Sequence, residues 1–263
     1  GVKHVNVASA YIADGAVVTG VNDVAVDADA NNWVITITQS GGKGKYALNG
    51  VFAYNNLDNT SRAWIEDKAQ IDAAGNVTVD AASDFFGVNI GGVITRGAKF
   101  AFGVSVAYND VDHITQAFIG DRITSAAYTA DGHVTAGGDI TVHAASSENL
   151  WAFTVAGTSA GKEEREELGD SPDDPLDGQS LPNLFGEEPS AEKVQNNSGI
   201  GISGAVAINT VSDDAKAYIS DMALVDSTGS VSVSAENAAL AVVGTGGFGL
   251  TTAPKGGGFA GGF

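Results

Sequence analysis

The chain has 263 residues, of which 43% are hydrophobic and only 17% charged, so it has enough apolar material for a continuous core and too few charges for a disordered chain. Thirteen basic residues against 32 acidic ones give a net charge of −19. This excludes nucleic acid as an expected partner, because phosphate binding needs clustered Lys and Arg. Without cysteine there are no disulfides, and no apolar run reaches the roughly 18 residues that membrane insertion requires.

A five-residue block, Ala–aromatic–Ile–x–Asp, occurs four times along the chain. The copies begin at Ala10, Ala63, Ala117 and Ala217, so the first three are 53 and 54 residues apart and the fourth follows after 100. Self-similarity at a fixed period is typical of stacked units that bury their apolar faces against one another. We therefore expect three columns of like side chains, with isoleucine inside and the aromatic rings in a second layer or half exposed. The columns are Tyr11, Trp64, Phe118 and Tyr218; Ile12, Ile65, Ile119 and Ile219; and Asp14, Asp67, Asp121 and Asp221.

A strand with a period of two precedes each of the last three blocks, which predicts β-structure rather than a helix. Residues 101–108, for example, place Phe, Val, Val and Tyr on one face and Ala, Gly, Ser and Ala on the other. We expect the small residues to be buried, where they let a second layer pack at short range. The alternative is that they are exposed and let neighbouring rods associate, in which case lysine at Ala107 and Ala207 abolishes bundling.

Turn residues bracket each block. Asn55, Asn109 and Asn209 each precede a block by eight residues, and asparagine suits a turn because it tolerates left-handed backbone. A short apolar strand follows each block. In the third copy it starts nine residues late, so we place a short insertion near 125–133. Two residues before each of these strands stands a residue type that accepts positive φ: Asn22, Gly75, Gly138 and Gly229.

Each unit then continues through a third apolar strand and a loop, at 39–45, 96–99 and 158–199. Short strands, Gly and Asn turns and the long period predict an all-β fold, namely a β-solenoid or right-handed parallel β-helix, with equivalent residues stacked at about 4.8 Å or a small multiple of it. The alternative is an antiparallel layout with hairpins closed at 39–45 and 96–99. We expect one domain, cut from a longer array, with about four 53-residue units at 1–49, 50–102, 103–198 and 199–263.

Residues 161–198 differ in composition from the rest. They hold 11 of the 32 acidic residues and four of the five prolines, which predicts a solvated arm at a repeat junction, either decorative or used as a binding loop. Its carboxylates are the candidate metal site for Ca²⁺, which takes six to eight oxygen ligands. The candidate ligands, whose spacing matches no EF-hand loop, are Asp170, Asp173, Asp174 and Asp177.

No residue set predicts catalysis. The block aspartates resemble the clustered carboxylates of glycosidases, but they recur in every unit whereas an active site breaks symmetry, so we expect them to cap turns. His4 and His113 are assigned the offset of Asn59 and are expected on turns or the surface, while His133 and His143 flank one strand of the third unit. A carbohydrate-active β-helix enzyme is the alternative function.

Three segments carry a family resemblance: residues 103–109 (Gly-Val-Ser-Val-Ala-Tyr-Asn), the third block, and residues 137–142 (Gly-Gly-Asp-Ile-Thr-Val). They resemble repeats of leukotoxin-type filamentous adhesins, within the filamentous-haemagglutinin-like group of large secreted bacterial exoproteins. The resemblance covers nearly the whole chain except the insertion, and it offers no catalytic residue. It implies a β-helical shaft that is exported and displays or spaces a function.

The expected function is therefore a non-enzymatic rod segment of an extracellular or cell-surface bacterial adhesin or fibre. Its expected partners are neighbouring repeats or rods, and a host receptor or glycan. A self-assembling extracellular filament subunit is a further alternative.

Overall fold

The computed structural model describes residues 1–120, 132–161, 199–220, 223–251 and 256–262. These residues form an all-β fold with long parallel sheets and contain no helix, as the expected fold class requires. Over the same ranges, accordingly, no helix has the length and apolarity needed to cross a membrane. The strands are β1 (Val2–Ile12), β2 (Val17–Val21), β3 (Val24–Ile65), β4 (Gln70–Ala73), β5 (Val77–Ile119), β6 (His133–Ala136), β7 (Ile140–Ala160), β8 (Ile200–Ile219), β9 (Leu224–Ser227), β10 (Val231–Thr251) and β11 (Gly257–Gly262).

The strands form two sheets. The larger sheet has the order β1-β3-β5-β7-β10, with β8 paired to β5 and to β11, and the narrow one has the order β2-β4-β6-β9. Every strand pair within the described residues is parallel. The antiparallel layout is therefore wrong for this part of the chain, and the topology is consistent with a β-solenoid.

The register follows the sequence repeat. Ile65 pairs with Ile119 at an offset of 54 residues, whereas Gln70 pairs with His133 at an offset of 63. Nine residues are thus added between Ile119 and His133, where the sequence places the short insertion.

Each copy of the repeated block lies beside the next one in the large sheet. Ile65 and Ile119 are buried, and the isoleucines of the outer copies are partly buried in the same apolar cluster. The aromatic rings stack nearly parallel, with centroid separations of 4.6, 5.8 and 5.0 Å along the column. Tyr11 at its start is 57% exposed, Trp64 is half-buried, and Phe118 is fully buried. The paired residues are Ala10, Ala63, Ala117 and Ala217; Tyr11, Trp64, Phe118 and Tyr218; and Ile12, Ile65, Ile119 and Ile219.

The long strands reverse direction midway. Ser61 Oγ donates to Ala28 O over 2.9 Å, and Thr36 Oγ1 donates to Asn55 Oδ1 over 2.9 Å, so the two halves of β3 face each other across the interior. Both halves hydrogen-bond to β5 rather than to each other. The predicted loops at 39–45 and 96–99 therefore lie within β3 and β5, where the chain reverses without forming a hairpin.

The small residues of the alternating strands point into the space between these halves. Ala53, Ala107, Ala152 and Ala207 form one buried cluster, and side chains of this size let the two layers pack closely. The hypothesis that rods associate through the small-residue rows is wrong, since Ala107 has no exposed surface and Ala207 only 8%. The bulky residues of the same strands face outwards, and Phe52 is 65% exposed.

A polar ladder closes the corner before each long strand. Asn76 N donates to Asp23 Oδ1 (2.7 Å), Asp139 N donates to Asn76 Oδ1 (2.8 Å), and Ser230 N donates to Asp139 Oδ1 (2.7 Å). The backbone N–H and then the hydroxyl of Ser230 hold the pKa of Asp139 below its ordinary value. A side-chain oxygen of each unit thus accepts a hydrogen bond from a backbone N–H of the following unit.

This ladder also explains the corner glycines. The sequence predicts a positive φ at Gly75, Gly138 and Gly229, but none of these glycines adopts one. A Cβ at Gly138 would instead collide with Asn76 Oδ1, the oxygen that accepts the ladder bond. Glycine is therefore required by close approach between units rather than by a left-handed turn.

Candidate functional site

One interior column consists of asparagines. Asn109 is fully buried, accepts from Asn55 Nδ2 (2.9 Å) and Asn89 Nδ2 (2.8 Å), and donates to Asn209 Oδ1 (2.8 Å). The turns predicted at Asn55, Asn109 and Asn209 are wrong, because these residues lie within β3, β5 and β8. Buried amides stabilise a fold when they are paired, and here they pair with one another between units.

A second interior column departs from this neutral pattern. On β1 and β3 this column carries asparagines, whereas on β5 and β8 it carries two ionisable residues, His113 and Asp213, which are neighbours. Across the interior, Glu148 on β7 occupies the position that Phe85 holds on β5. The full column, in strand order, is Asn6, Asn59, His113 and Asp213.

The three ionisable side chains of His113, Glu148 and Asp213 converge. His113 Nδ1 and Glu148 Oε1 lie 2.7 Å apart, and one ligand atom of each of the three residues lies within 4.8 Å of the others. His113 has no exposed surface and Glu148 only 2%, so an external substrate does not reach them. The cluster connects β5, β7 and β8 and therefore spans both sides of the interior.

Hydrogen bonds do not satisfy this cluster. The 2.7 Å contact lacks the angular geometry of an N–H···O bond, and no ring nitrogen of His113 and no carboxylate oxygen of Glu148 or Asp213 has a partner in hydrogen-bond geometry, although the Ser146 hydroxyl lies near the Asp213 carboxylate. These six atoms are nearly half of the thirteen unpartnered buried side-chain atoms in the described ranges. Each unpaired buried polar group costs about 1–3 kcal/mol, and a charged group costs more, so this cluster destabilises the fold unless a further group compensates it.

Asp213 is the most accessible member of the cluster. Among the described strands, its part of β8 pairs only with β5, because β11 covers no more than Ile200–Ala205. Burial raises the pKa of Asp213 and the Glu148 carboxylate adds to the rise, whereas the Ser146 hydroxyl and His113 act in the opposite direction.

The expectation that His4 and His113 both lie at the surface, at the offset of Asn59, is wrong in one respect for each residue. His113 is not on a turn or at the surface, because its column points into the interior. His4 is exposed, but it pairs with Leu57 and not with Asn59. The residues four positions before the block alanines are Asn6, Asn59, His113 and Asp213, so the offset of Asn59 belongs to Asn6 and not to His4.

The two remaining histidines form pairs near the surface. His133 Nε2 lies 2.8 Å from Asp226 Oδ2, and His143 Nδ1 lies 2.8 Å from Asp80 Oδ1. Both pairs connect neighbouring strands, and both are partly open to solvent.

The block aspartates are described only at their first two positions. Asp14, Glu66 and Asp67 each place a carboxylate oxygen within 4.8 Å of the others at a solvent-facing corner, and Asp14 Oδ2 is 3.8 Å from Lys68 Nζ. Exposed carboxylates of this kind are common, so this cluster by itself identifies no site. Asp121, Asp221 and the proposed Ca²⁺ ligands Asp170, Asp173, Asp174 and Asp177 lie outside the described residues.

A shallow groove of about 310 Å³ lies beside Trp33. Trp33 is 75% exposed, and its ring centroid is 5.7 Å from that of Phe86. The groove combines an exposed aromatic ring with several polar side chains. The polar lining consists of Asn31, Asn32, Asp84, Ser147 and Asn149.

The two described ends of the long insertion lie side by side. Gly161 N donates to Gly97 O over 3.1 Å, with φ of 125° at Gly161. A Cβ at Gly199 would lie 2.7 Å from Gly161 N. The insertion therefore leaves and re-enters at the corner where β5 reverses, so strand pairing on either side is preserved.

No family model, no curated protein and no solved structure matches this chain. Its function is therefore inferred from the repeat and from the geometry of these sites.

Proposed function

We propose that this chain is a β-solenoid segment in the shaft of an exported bacterial surface protein, of adhesin or fibre type, without enzymatic activity. The observation that carries the proposal is the parallel, in-register pairing of β3 with β5 from Val24↔Val77 to Ile65↔Ile119. Units that pair with their sequence neighbours stack along one axis, so an array of many such units builds a rod. The proposed solenoid is right-handed, has about four units of 53 residues, and lies outside the cell or on its surface, as the adhesin resemblance implies.

The proposed ligand-binding surface is the groove beside Trp33, and the proposed ligand class is a glycan. A sugar ring offers an apolar face to an aromatic side chain and hydroxyl groups to amides and carboxylates. The groove offers the exposed ring of Trp33, with Asn31, Asp84 and Asn149 around it. The net charge of −19 favours neutral or cationic glycans over anionic ones.

Binding to a panel of immobilised neutral oligosaccharides, followed by calorimetry on the best ligand, tests this assignment. We expect Trp33→Ala to weaken binding at least tenfold. Tyr11→Ala removes another exposed aromatic residue, outside the groove, and should leave binding unchanged. Equal affinities of the two variants, or no glycan binding by the folded chain, would contradict the assignment.

The insertion is the second surface that the shaft is proposed to present. Its ends meet at Gly161 and Gly199, so replacing residues 162–198 by a short Gly-Ser linker should leave the unfolding temperature of the shaft unchanged. If the insertion binds a host receptor, this deletion abolishes adhesion to host cells while glycan binding at the groove persists. Adhesion that survives the deletion would show that the insertion is decorative.

Self-assembly into filaments is a second candidate function, favoured by the apolar outer face. The register places Phe52, which is 65% exposed, beside the half-buried Val106 and Val206 on that face, and apolar outer surface marks interaction sites. In the unmodified chain, the apparent molar mass from light scattering should then rise with concentration, and Val106→Lys should abolish this rise without lowering the unfolding temperature. An apparent molar mass that stays that of one chain at all concentrations would exclude this candidate.

A carbohydrate-active enzyme is the remaining alternative, and Asp14, Glu66 and Asp67 are the described carboxylates that such an enzyme would use. We expect no release of reducing sugars or unsaturated products from polysaccharides. Turnover that Asp67→Asn abolishes would overturn the non-enzymatic proposal.

A further inference from the structure

We propose that His113, Glu148 and Asp213 form a buried site for one divalent transition-metal ion of the Zn²⁺ class, which joins neighbouring repeats inside the shaft. This inference does not depend on the adhesin or glycan proposals. It rests on the convergence of three ionisable side chains that are otherwise unsatisfied.

The donor set matches such an ion in type and in charge. A neutral imidazole and two ionised carboxylates supply one nitrogen donor, oxygen donors and a charge of −2, which a divalent cation neutralises; these groups are usual Zn²⁺ ligands. Since the ligand atoms already lie within 4.8 Å of one another, small rotations can bring each to about 2.0–2.2 Å from a common centre. Ca²⁺ fits less well because it prefers six to eight oxygen ligands.

An ion pair between His113 and Glu148 does not account for the cluster. Their 2.7 Å contact does not have the angles of a hydrogen bond, and His113 Nε2 has no partner. Neither Asp213 oxygen has a partner in hydrogen-bond geometry, although the Ser146 hydroxyl lies near this carboxylate. The Glu148 carboxylate is buried and that of Asp213 is partly buried, and two such neighbouring carboxylates repel each other unless a cation or a proton lies between them. A metal ion compensates all three side chains at once.

The site also breaks the repeat where a structural column would preserve it. At the equivalent position on β3, Asn59 Nδ2 donates to Ser83 Oγ over 2.6 Å, a neutral contact across the interior. The next two positions of that column carry His113 and Asp213, and Glu148 lies across the interior from them. A metal bound there links β5, β7 and β8, the strands that adjoin the long insertion.

Titration of Zn²⁺ into chelator-treated protein, followed by calorimetry, is the first test. We expect one ion to bind in this cluster and the unfolding temperature to rise, because a ligand of the folded state stabilises it. Glu148→Gln keeps the side-chain shape but removes the charge, and should weaken Zn²⁺ binding at least tenfold and abolish the temperature shift. Co²⁺ should give visible absorption bands in the unmodified chain that His113→Asn, which installs the residue found at position 59, eliminates.

His133→Asn is the matched control, since His133 and Asp226 also pair at 2.8 Å but near the surface; this variant should retain the high-affinity site. The proposal is overturned if the folded chain binds no Zn²⁺, or if His133→Asn loses the ion while Glu148→Gln keeps it. If Glu148→Gln fails to fold, Asp213→Asn on the open side of β8 provides the same test. Unchanged Zn²⁺ affinity in that variant would also overturn the site.

Discussion

Replacement of Asn109 by alanine tests whether the interior asparagine column holds the repeats together. The fully buried side chain accepts from Asn55 and Asn89 and donates to Asn209. Its removal leaves two amide donors and one carbonyl acceptor unpaired. At about 1–3 kcal/mol for each unpaired group, and with partial relaxation around the smaller side chain, the free energy of unfolding should fall by about 3–6 kcal/mol.

Urea unfolding followed by circular dichroism measures this loss, provided that the m value of the variant is unchanged. Asn56→Ala is the control, because the Asn56 side chain makes only a 3.4 Å contact with Asp110, and it should cost no more than about 0.5 kcal/mol. A double-mutant cycle with Asn55→Ala should show a coupling energy of at least about 0.5 kcal/mol. A loss below about 1 kcal/mol for Asn109→Ala would refute the reasoning.

Three further changes probe other parts of the stack. Ile119→Ala removes a buried side chain from the main apolar cluster and should lower the free energy of unfolding by about 2–5 kcal/mol, as measured in urea. Gly138→Ala should cost about 1–3 kcal/mol in the same assay, since its Cβ collides with Asn76 Oδ1; an unchanged stability would remove the close-approach explanation. Because the pKa of Asp139 lies below its ordinary value of 3.8, its carboxylate stabilises the fold above that pH and this stabilisation is lost as the pH falls through the folded-state pKa. Asp139→Asn should therefore show a weaker acid dependence of the unfolding temperature, and identical acid profiles would contradict the ladder.

The repeat made the all-β class predictable from sequence. Period-two alternation identified the strands, and the position of the small residues inside followed from their size. The reversal of β3 and β5 was harder to interpret, because a glycine-rich segment such as 39–45 suits both a hairpin and a corner between parallel strands. Only the register, with both halves of β3 bonded to β5, distinguishes the two layouts.

The sequence predicts only part of the candidate metal cluster. Aligning positions four residues before each block alanine places His113 and Asp213 in one column, but a column alone does not tell whether it points inwards. Glu148 was not identified, because its approach to His113 depends on the chain reversal and not on the repeat. The asparagines depart from expectation for a similar reason: local propensity predicts turns there, whereas pairing between units buries Asn109 within a strand.

In-register stacking of parallel repeats is tested most directly by electron paramagnetic resonance on pairs of nitroxide labels. The chain lacks cysteine, so labels attach only at introduced positions, and Asp112 pairs with Ser212 on the adjacent strand, about 4.8 Å away. Labels at 112 and 212 should show strong dipolar broadening, whereas labels at 112 and Asp84, on opposite halves of β5, should show little. A hairpin closed at 96–99 would instead broaden the spectrum of the 84/112 pair and leave that of the 112/212 pair sharp. This result would contradict the parallel stack.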